Sequence, residues 1–559
     1  MPEKRELFGQ TSRHLCISFR ILTGEIAMAE TPIQPNGENT VVEIKREAKK
    51  LKRELTLLPL FGLIYFTVCG GSFGIEPLVG WSGPGLAILL VFLTPLIFSL
   101  PNMLMVRELN SMMPVEGGYY HWVKKAFGPF AGFLAGWNNW VVSWLDVTIY
   151  PLLAAYYLSF FIPALREGAV IGGIEISAEA LSWLVAVALI WLISLLQIRG
   201  ARLAALFTNG IMVVMLIPLI LMSIVGIYNW IQGGVTISLP FLPEGESLVG
   251  AFSVGLFVVM WNYMGWELPT VAGDEIVNPK KTYPKAMTLT LIAAVATYTI
   301  PLLAGLYGGA GAEGRYQMWG IEGDDEGIGV VLADYGVSEE QIIAWGADPS
   351  DSVGWEFPQI ASVLGEIAGG PSLALILGGL VTISAVFSMI GLYIGNSLGG
   401  SRVPFALAED GMMPEFLVKV HGKYGTPWVA IVFVGVIYSI FSLSAFAVLV
   451  VADVFLQTLV ILAEFAAMWK LRFSMPDFPR QKVPGGYLGL VLVTLGPTAI
   501  ILLAIYSQIA EVGIVGSIGF SLLAMLVGAI LYFPIRKYIK IKRGIPDVDP
   551  FKAHEEDIF

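Results

Sequence analysis

The chain has 559 residues, of which 56% are hydrophobic and 14% are charged, and its mean hydropathy is +0.73. Soluble domains carry about 25% charged residues, so the composition excludes an ordinary soluble protein. The net charge of −11 argues against a nucleic-acid partner, because surfaces that bind nucleic acid are basic.

Apolar runs of about 20 residues follow one another along the chain, and each is long enough to cross a bilayer as a helix. The sequence therefore predicts an all-α polytopic membrane protein with twelve transmembrane helices. The runs cover residues 57–80, 84–106, 128–161, 178–198, 203–230, 249–273, 286–308, 371–399, 426–447, 449–469, 487–508 and 514–535.

The basic residues predict the orientation. With a cytoplasmic N-terminus, only Arg166 and Arg315 of the Lys and Arg residues fall on the outer side, as the positive-inside rule requires. An even number of spans then places both termini in the cytoplasm, and we expect a plasma-membrane protein. Residues 1–54 are predicted to be a disordered basic tail and 536–559 a second cytoplasmic tail, while 309–357 form an acidic outer loop.

Two of the predicted spans contain residues that interrupt an apolar helix. The first has GGSFGIE at 70–76, and the sixth has WNYMGWE at 261–267. Inside a bilayer, irregular backbone is tolerated only where it is buried in protein or lines a cavity. Interruptions at corresponding positions of two halves point to a transporter's binding site, although glycine also lets membrane helices pack closely. The predicted ligand site comprises Gly70, Gly71, Ser72, Gly74, Trp261, Tyr263, Gly265 and Trp266.

The first, third and sixth predicted spans contain the carboxylates Glu76, Asp146 and Glu267. An aspartate at mid-membrane costs about 2.5–3.5 kcal/mol on insertion scales, and no basic residue lies in a predicted span to pair with it. The acids therefore predict a site for a cation, a proton or both, with Asp146 and Glu267 as proton-coupling candidates. A structural role for Asp146 stays open. Aromatic faces attract ammonium groups, which adds Tyr150 and Tyr393 to the predicted site. Asn396 of span eight is also a predicted site residue.

The sequence indicates no other chemistry. Cys16 and Cys69 do not form a disulfide framework, and the four histidines have no metal-ligand spacing, so neither a metal nor a cofactor is predicted. A nucleophile–base pair or nucleotide-binding loop would indicate an enzyme, and a repeated pore motif would indicate a channel. Neither pattern is present.

Several motifs resemble the amino acid–polyamine–organocation (APC) superfamily of secondary transporters. They are GGSFG, ELNSMMPVEGGYYHWVKKAFGPFAGFLAGWNNW at 108–140, DEIVNPKKTYPKA at 274–286 and SRVPFALAEDGMMPEFLVKVHGKYGTPW at 401–428. The resemblance implies a transporter domain over 55–535 with a LeuT-type core of five plus five inverted helices, in which helices one and six are broken. The implied repeats cover about 57–230 and 249–469, and two further helices follow at 487–535.

Within that superfamily, GGSFGIE, LDVTIYP and WNYMGWELPTVAGDEIVNPKKTYPKA resemble the polyamine uptake transporters of plants and protozoa. The matching acids of that group face a cationic substrate, which implies amine contacts for Glu76, Asp146 and Glu267. Gly-x-Glu at 265–267 is also similar to antiporters in which this glutamate links substrate binding to proton movement. The chain departs from the polyamine group in span eight, where Tyr393 and Asn396 lie near positions that carry acids in that group.

Two transport hypotheses stay open. The first is proton-coupled uptake of a polyamine or another cationic amine by alternating access. The second is a proton- or sodium-coupled α-amino acid permease or antiporter, which the glycine break and the missing acids of span eight favour. A nutrient sensor of the same fold is a third hypothesis. The expected partners are the small amine or amino acid substrate, the coupling ion and the lipid bilayer, and no motif indicates an oligomer.

Overall fold

Helices form wherever the sequence has an apolar run, because a helix satisfies its backbone hydrogen bonds within one segment. The structure, a computed structural model, describes residues 20–22, 25–27, 53–115, 117–233, 239–243, 245–271, 273–321, 323, 327–351, 353–443 and 446–543. The chain divides into two units, Met1–Ala48 and Lys49–Phe559. In the first, β1 (Arg20–Leu22) pairs antiparallel with β2 (Glu25–Ala27). Most of the predicted disordered tail 1–54 lies outside the described residues.

The first half of the second unit contains helices and a short hairpin. The described helices are α1 (Leu57–Val68), α2 (Glu76–Ser82), α3 (Pro84–Thr94), α4 (Leu100–Met112), α5 (Tyr119–Phe127), α6 (Pro129–Leu158), α7 (Ala164–Glu167), α8 (Ala178–Arg199) and α9 (Ala201–Ile231). A π-helical segment, Pro95–Ser99, joins α3 to α4. Between α7 and α8, β3 (Ala169–Ile171) pairs antiparallel with β4 (Ile174–Ile176).

The second half continues in the same way. Its helices are α10 (Leu248–Asn262), α11 (Pro279–Gly305), α12 (Ile328–Asp334), α13 (Glu339–Ala344), α14 (Phe357–Gly369), α15 (Pro371–Glu409), α16 (Trp428–Phe441), α17 (Phe446–Ser474) and α18 (Gly486–Arg543). Short π or 3-10 segments cover Leu268–Val271, Gly273–Glu275, Leu306–Ala310, Ala312–Met318 and Glu415–Val418. The path of α18 is interrupted at Gly513, whose φ is 74°.

Nine helical segments of the described chain are long and apolar enough to cross a membrane. Three shorter apolar helices, α1, α10 and α16, account for the remaining predicted runs. Both α1 and α10 are short because the chain leaves the helix within the two glycine motifs, at residues 69–75 and 263–267. The two predicted breaks are confirmed, and the architecture is that of a polytopic helical membrane protein.

The acidic segment 309–357 is folded over part of its length. It contains the 3-10 segment Ala312–Met318 and the helices α12 and α13. Trp319 is fully buried, its indole nitrogen donates to the Ala310 carbonyl at 2.9 Å, and its ring lies 6.0 Å from that of Phe357. Its backbone carbonyl packs directly on Gly80 of α2. The segment is therefore packed onto the helix that follows the first break.

Two buried arginines lie in helices, beyond the ends of the predicted spans. Arg402 in α15 donates from Nε to Glu275 Oε1 at 2.9 Å, and both side chains are buried. Arg472 in α17 binds Glu108 with two nitrogens, at 2.7 and 2.5 Å. Each guanidinium thus neutralises a buried carboxylate, as a buried charge requires.

The segment before α1 is fixed to the segment after the second break. The backbone N–H groups of Glu54 and Leu55 both donate to the Glu275 carbonyl, at 2.9 and 3.0 Å. In return, the Val277 N–H donates to the Leu55 carbonyl at 2.9 Å. The Arg402–Glu275 ion pair lies at this junction.

Replacing Arg402 with methionine leaves the Glu275 carboxylate buried without its cation. We expect a loss of about 3–5 kcal/mol in stability, measured as a lower midpoint of thermal unfolding in detergent. The double variant Arg402→Met/Glu275→Gln should recover part of that loss. Arg166→Met is the control, because Arg166 forms an exposed pair with Asp351 and should cost about 0–1 kcal/mol. Equal losses in the two single variants would contradict the prediction.

Candidate substrate site

The first break, residues 69–75, depends on two glycines with positive φ. Gly71 has a φ of 84° and Gly74 of 87°, a region that residues with a Cβ rarely adopt. Hydrogen bonds to two other helices hold this break in place. Ser388 of α15 donates its hydroxyl to the Gly70 carbonyl, and Ser72 donates to the Thr297 carbonyl of α11 at 2.6 Å.

The second break meets the first. Gly265 has a φ of 92°, and a Cβ at that position would lie 2.5 Å from the carbonyl oxygen of Thr67, at the end of α1. Asn262, the last residue of α10, donates its side-chain amide to the Gly74 carbonyl at 3.0 Å. The sequence predicted two corresponding breaks, and the structure brings them into direct contact.

Two cavities among the described residues adjoin the breaks. One has a largely apolar and aromatic lining, which includes Gly70, Phe73, Gly74, Asn262, Tyr298 and Leu392. The other has a more polar lining, which includes Asp146, Gly265, Asn396, Asp453 and Gln457. Thr67, Tyr150 and Trp261 line both cavities. We call the first the apolar cavity and the second the acidic cavity.

Asp146 reaches the acidic cavity from the middle of α6. Tyr150, one turn further along α6, donates its hydroxyl to Asp146 Oδ1 at 2.5 Å. The Asn396 amide of α15 in turn donates to the Tyr150 hydroxyl at 3.5 Å, and the Trp261 indole lies beside the carboxylate. Three of the predicted site residues therefore surround Asp146, and none of them carries a positive charge.

A second carboxylate in this cavity is not among the predicted site residues. Asp453 of α17 is 4% exposed and lines the acidic cavity together with Asp146. Its Oδ1 has no hydrogen-bond partner among the described residues. The signal was present in the sequence, because Asp453 falls inside the apolar run 449–469 where no basic residue accompanies it.

Glu267 lies behind the acidic cavity and does not line it. It is fully buried, and its Oε1 accepts a hydrogen bond from the Gln457 amide of α17. Gln457 itself lines the cavity, so it separates Glu267 from the space beside Asp146. No partner for Glu267 Oε2 is found in the described part of the chain.

Glu76 lies apart from both cavities. Its Oε2 accepts from the Gly74 N–H at 2.7 Å, and its Oε1 accepts from the Phe357 N–H, at the start of α14, at 3.1 Å. The carboxylate thus holds the end of the first break against the acidic segment 309–357. It satisfies backbone donors that the break leaves free, as charge-assisted hydrogen bonds do elsewhere.

Three predicted aromatic residues are buried away from the cavity linings. Trp266 donates its indole N–H to the Tyr263 carbonyl at 3.0 Å, and Tyr263 donates its hydroxyl to the Val91 carbonyl at 3.3 Å. Tyr393 packs edge-on against Tyr438, with the ring centroids 6.2 Å apart. The structure places these side chains in helix packing around the breaks.

The comparison with known proteins identifies the family. The family model for amino acid permeases matches residues 55–532. The chain belongs to the amino acid permease family. It is therefore an integral membrane transporter and not an enzyme, as the sequence predicted, and the resemblance to the APC superfamily is confirmed.

Three relatives show which kinds of transporter the chain is similar to. The chain is 30% identical to the polyamine transporter PUT1 of Oryza sativa subsp. japonica, over 88% of this chain and 80% of the relative. It is 29% identical to the polyamine transporter RMV1 of Arabidopsis thaliana, over 94% and 91%. It is 24% identical to the serine/threonine exchanger SteT of Bacillus subtilis, over 69% and 76%.

Gly265→Ala tests the contact between the two breaks. The new methyl group would be forced against the Thr67 carbonyl, and the residue would also keep a positive φ. We therefore expect a larger loss of stability than the roughly 1–3 kcal/mol that an unfavourable backbone conformation costs by itself. Thermal unfolding in detergent measures it. Gly173→Ala is the matched control, because its φ is 84° and its Cβ would meet no described atom within 4 Å. An equal effect of both substitutions would show that the contact is not tight.

Glu76→Gln tests the link between the break and the outer segment. An amide offers one acceptor oxygen where the carboxylate offers two, so the Gly74 or the Phe357 N–H loses its partner, at a cost of about 1–3 kcal/mol. We expect faster amide hydrogen exchange at residues 353–357. Glu340→Gln, on an exposed site of the same outer segment, should leave the exchange unchanged. Unaltered exchange in Glu76→Gln would contradict this role.

Proposed function

We propose that this permease is a secondary active transporter of cationic amines, with polyamines as its first substrate class, and that protons drive it. One observation carries the proposal: Asp146 and Asp453, on two different helices, line one cavity beside the two breaks. The described lining of that cavity contains no Lys, Arg or His. Two buried carboxylates without a cation are costly in a membrane, and an ammonium group supplies the missing charge.

The aromatic residues of the site suit the same ligand. Trp261 and Tyr150 line both cavities, and their rings can receive an ammonium group through cation–π attraction. A methylene chain could extend from the acidic cavity into the apolar cavity, between side chains such as Phe73 and Leu392. We infer that the ammonium end binds at Asp146 and Asp453 while the alkyl part occupies the apolar cavity.

Asp453 answers the main objection to a polyamine substrate. The sequence lacks the acids expected near Tyr393 and Asn396, and this absence favoured an amino acid. In the structure, Asp453 of α17 and Asn396 of α15 line the same cavity. The similarity to two polyamine transporters supports the same choice.

For the transport cycle we propose alternating access. The proposal includes twelve transmembrane helices in a LeuT-type fold, with inverted repeats at about 57–230 and 249–469 and both termini in the cytoplasm of a plasma-membrane protein. Rocking of the helices that carry the breaks would open the cavities to one side at a time. Glu267, buried behind the cavity, is the proposed proton-coupling residue together with Asp146.

An α-amino acid is the second candidate substrate. The apolar cavity is lined in part by Gly70, at a helix break whose N–H groups could bind a carboxylate. The similarity to a serine/threonine exchanger supports this alternative. The charge of the acidic cavity favours the amine.

Reconstitution in liposomes with an inward proton gradient tests the proposal. We expect saturable uptake of radiolabelled putrescine and spermidine, and little uptake of serine. In Asp146→Asn and Asp453→Asn, kcat/KM for putrescine should fall about 10- to 100-fold, because a hydrogen bond to a charged group contributes about 1.5–3 kcal/mol. Asp334→Asn makes the same chemical change at an exposed site of α12 and should have no effect.

Two results would contradict the proposed function. Uptake of serine or arginine alone, unaffected by either cavity substitution, would assign the protein to α-amino acid transport and leave the aspartates as structural residues. Binding of putrescine to the purified protein without any flux in liposomes would favour a sensor of the same fold.

A further inference from the structure

Glu464 is a buried carboxylate that the proposed amine site does not use. It lies on α17, eleven residues beyond Asp453 and seven beyond Gln457, so the helical period of 3.6 residues places all three on one face. Its side chain is fully buried. Neither of its carboxylate oxygens has a hydrogen-bond partner among the described residues.

A second buried carboxylate interacts with Glu464. Glu267 interacts electrostatically with Glu464, and Glu267 Oε2 likewise has no partner in the described part of the chain. Gln457 connects this pair to the substrate site, because it donates to Glu267 Oε1 and lines the acidic cavity. The face of α17 thus runs from the cavity to a second, deeper pair of acids.

The neighbouring titratable groups do not neutralise the pair. Tyr119 of α5 and Tyr283 of α11 interact with both carboxylates. Their hydroxyl protons are engaged elsewhere, since Tyr119 donates to Asn139 Oδ1 at 2.8 Å and Tyr283 to the Trp266 carbonyl at 3.1 Å.

On two of the helices packed against α17, the buried carboxylates have partners of their own. On α4, Glu108 pairs with Arg472, which lies near the end of the same helix α17. On α6, Asp146 accepts from Tyr150 in the acidic cavity. The electrostatic partner of Glu464 is therefore Glu267, which has the same sign of charge.

We propose that one proton resides on either Glu464 or Glu267, and that this pair of acids is the site where the coupled proton is held. The inference rests on the proposed transport function. Two interacting carboxylates that are buried without a cation are costly to ionise together, so we expect one of them to carry a proton as an O–H group. When that O–H bond breaks, the proton leaves to water on one side of the membrane, and the pair takes up another from the opposite side. Gln457 is the positioning residue that links this step to the amine cavity.

Glu464→Gln tests the assignment in proteoliposomes, with putrescine as the probe. Counterflow without a pH gradient measures the exchange of putrescine across the membrane, which needs no proton gradient. Putrescine uptake driven by an inward proton gradient of one pH unit, with the membrane potential clamped, measures the coupling of transport to protons. One proton per cycle can then drive about tenfold accumulation of putrescine at most. We expect Glu464→Gln to keep counterflow within about twofold of wild type while its accumulation ratio falls to about 1. Glu464→Asp, which can still hold a proton, should retain accumulation.

Glu366→Gln is the matched control, because it makes the same change at an exposed position of α14 and should leave both measurements unchanged. Parallel loss of counterflow and accumulation in a monodisperse Glu464→Gln protein would overturn the assignment in favour of a structural role. Undiminished accumulation in Glu464→Gln would overturn it as well. So would accumulation in wild type that follows a sodium gradient, since the pair would then hold sodium.

A second measurement separates this inference from the proposed function. Infrared difference spectra of the purified protein, recorded between two pH values, report the C=O band of protonated carboxyl groups without any substrate. We expect a titrating band that is lost in Glu464→Gln and in Glu267→Gln and kept in Glu366→Gln. A spectrum that these two substitutions leave unchanged would overturn the proton's assignment to this pair, whichever solute the protein transports.

Discussion

The constraint on which the rest of this structure depends is that backbone polar groups cannot be left without partners inside a bilayer. The chain leaves the helix at residues 69–75 and again at 263–267, and each departure frees N–H and C=O groups. Contacts between the two breaks satisfy some of them, as when Asn262 donates to the Gly74 carbonyl. The two interruptions therefore stabilise each other, and the cavities lie where they meet.

Each break is also tied to a segment outside the apolar helices. Glu76 links the first break to Phe357, at the end of the acidic segment 309–357. The second break continues into residues 275–277, which pair with the segment before α1 through Leu55. A movement at either break consequently involves one of these outer attachments. The acidic segment is thus part of the structure around the break.

The distribution of charge around the cavities follows from desolvation. Arg402 and Arg472 lie in the protein interior, and each is paired with its own glutamate. Asp146, Asp453 and Glu267 have no such partner among the described residues, and Asp453 interacts electrostatically with both of the others. Because ionised groups of one sign are costly to bury together, this region favours the binding of a positive charge, whether an ammonium group or a proton.

The sequence by itself determined the elements and the positions of the breaks. Apolar runs imposed helices, because no other open structure satisfies its backbone in lipid, and the glycines at 71, 74 and 265 marked the places where helices end. Asp146 could be singled out because a carboxylate in the middle of an apolar run is rare. The family was also evident from local motifs, which need no tertiary information.

Only the tertiary structure decided which faces of those helices meet. Asp453 and Glu464 were visible in the sequence as acids in an apolar run, but periodicity alone does not say that α17 faces the same cavity as α6. Glu76 looked equivalent to Asp146, yet packing of residues 353–357 engages its carboxylate with backbone donors. Side-chain partners depend on contacts between segments hundreds of residues apart, and that is information which spacing along the chain does not contain.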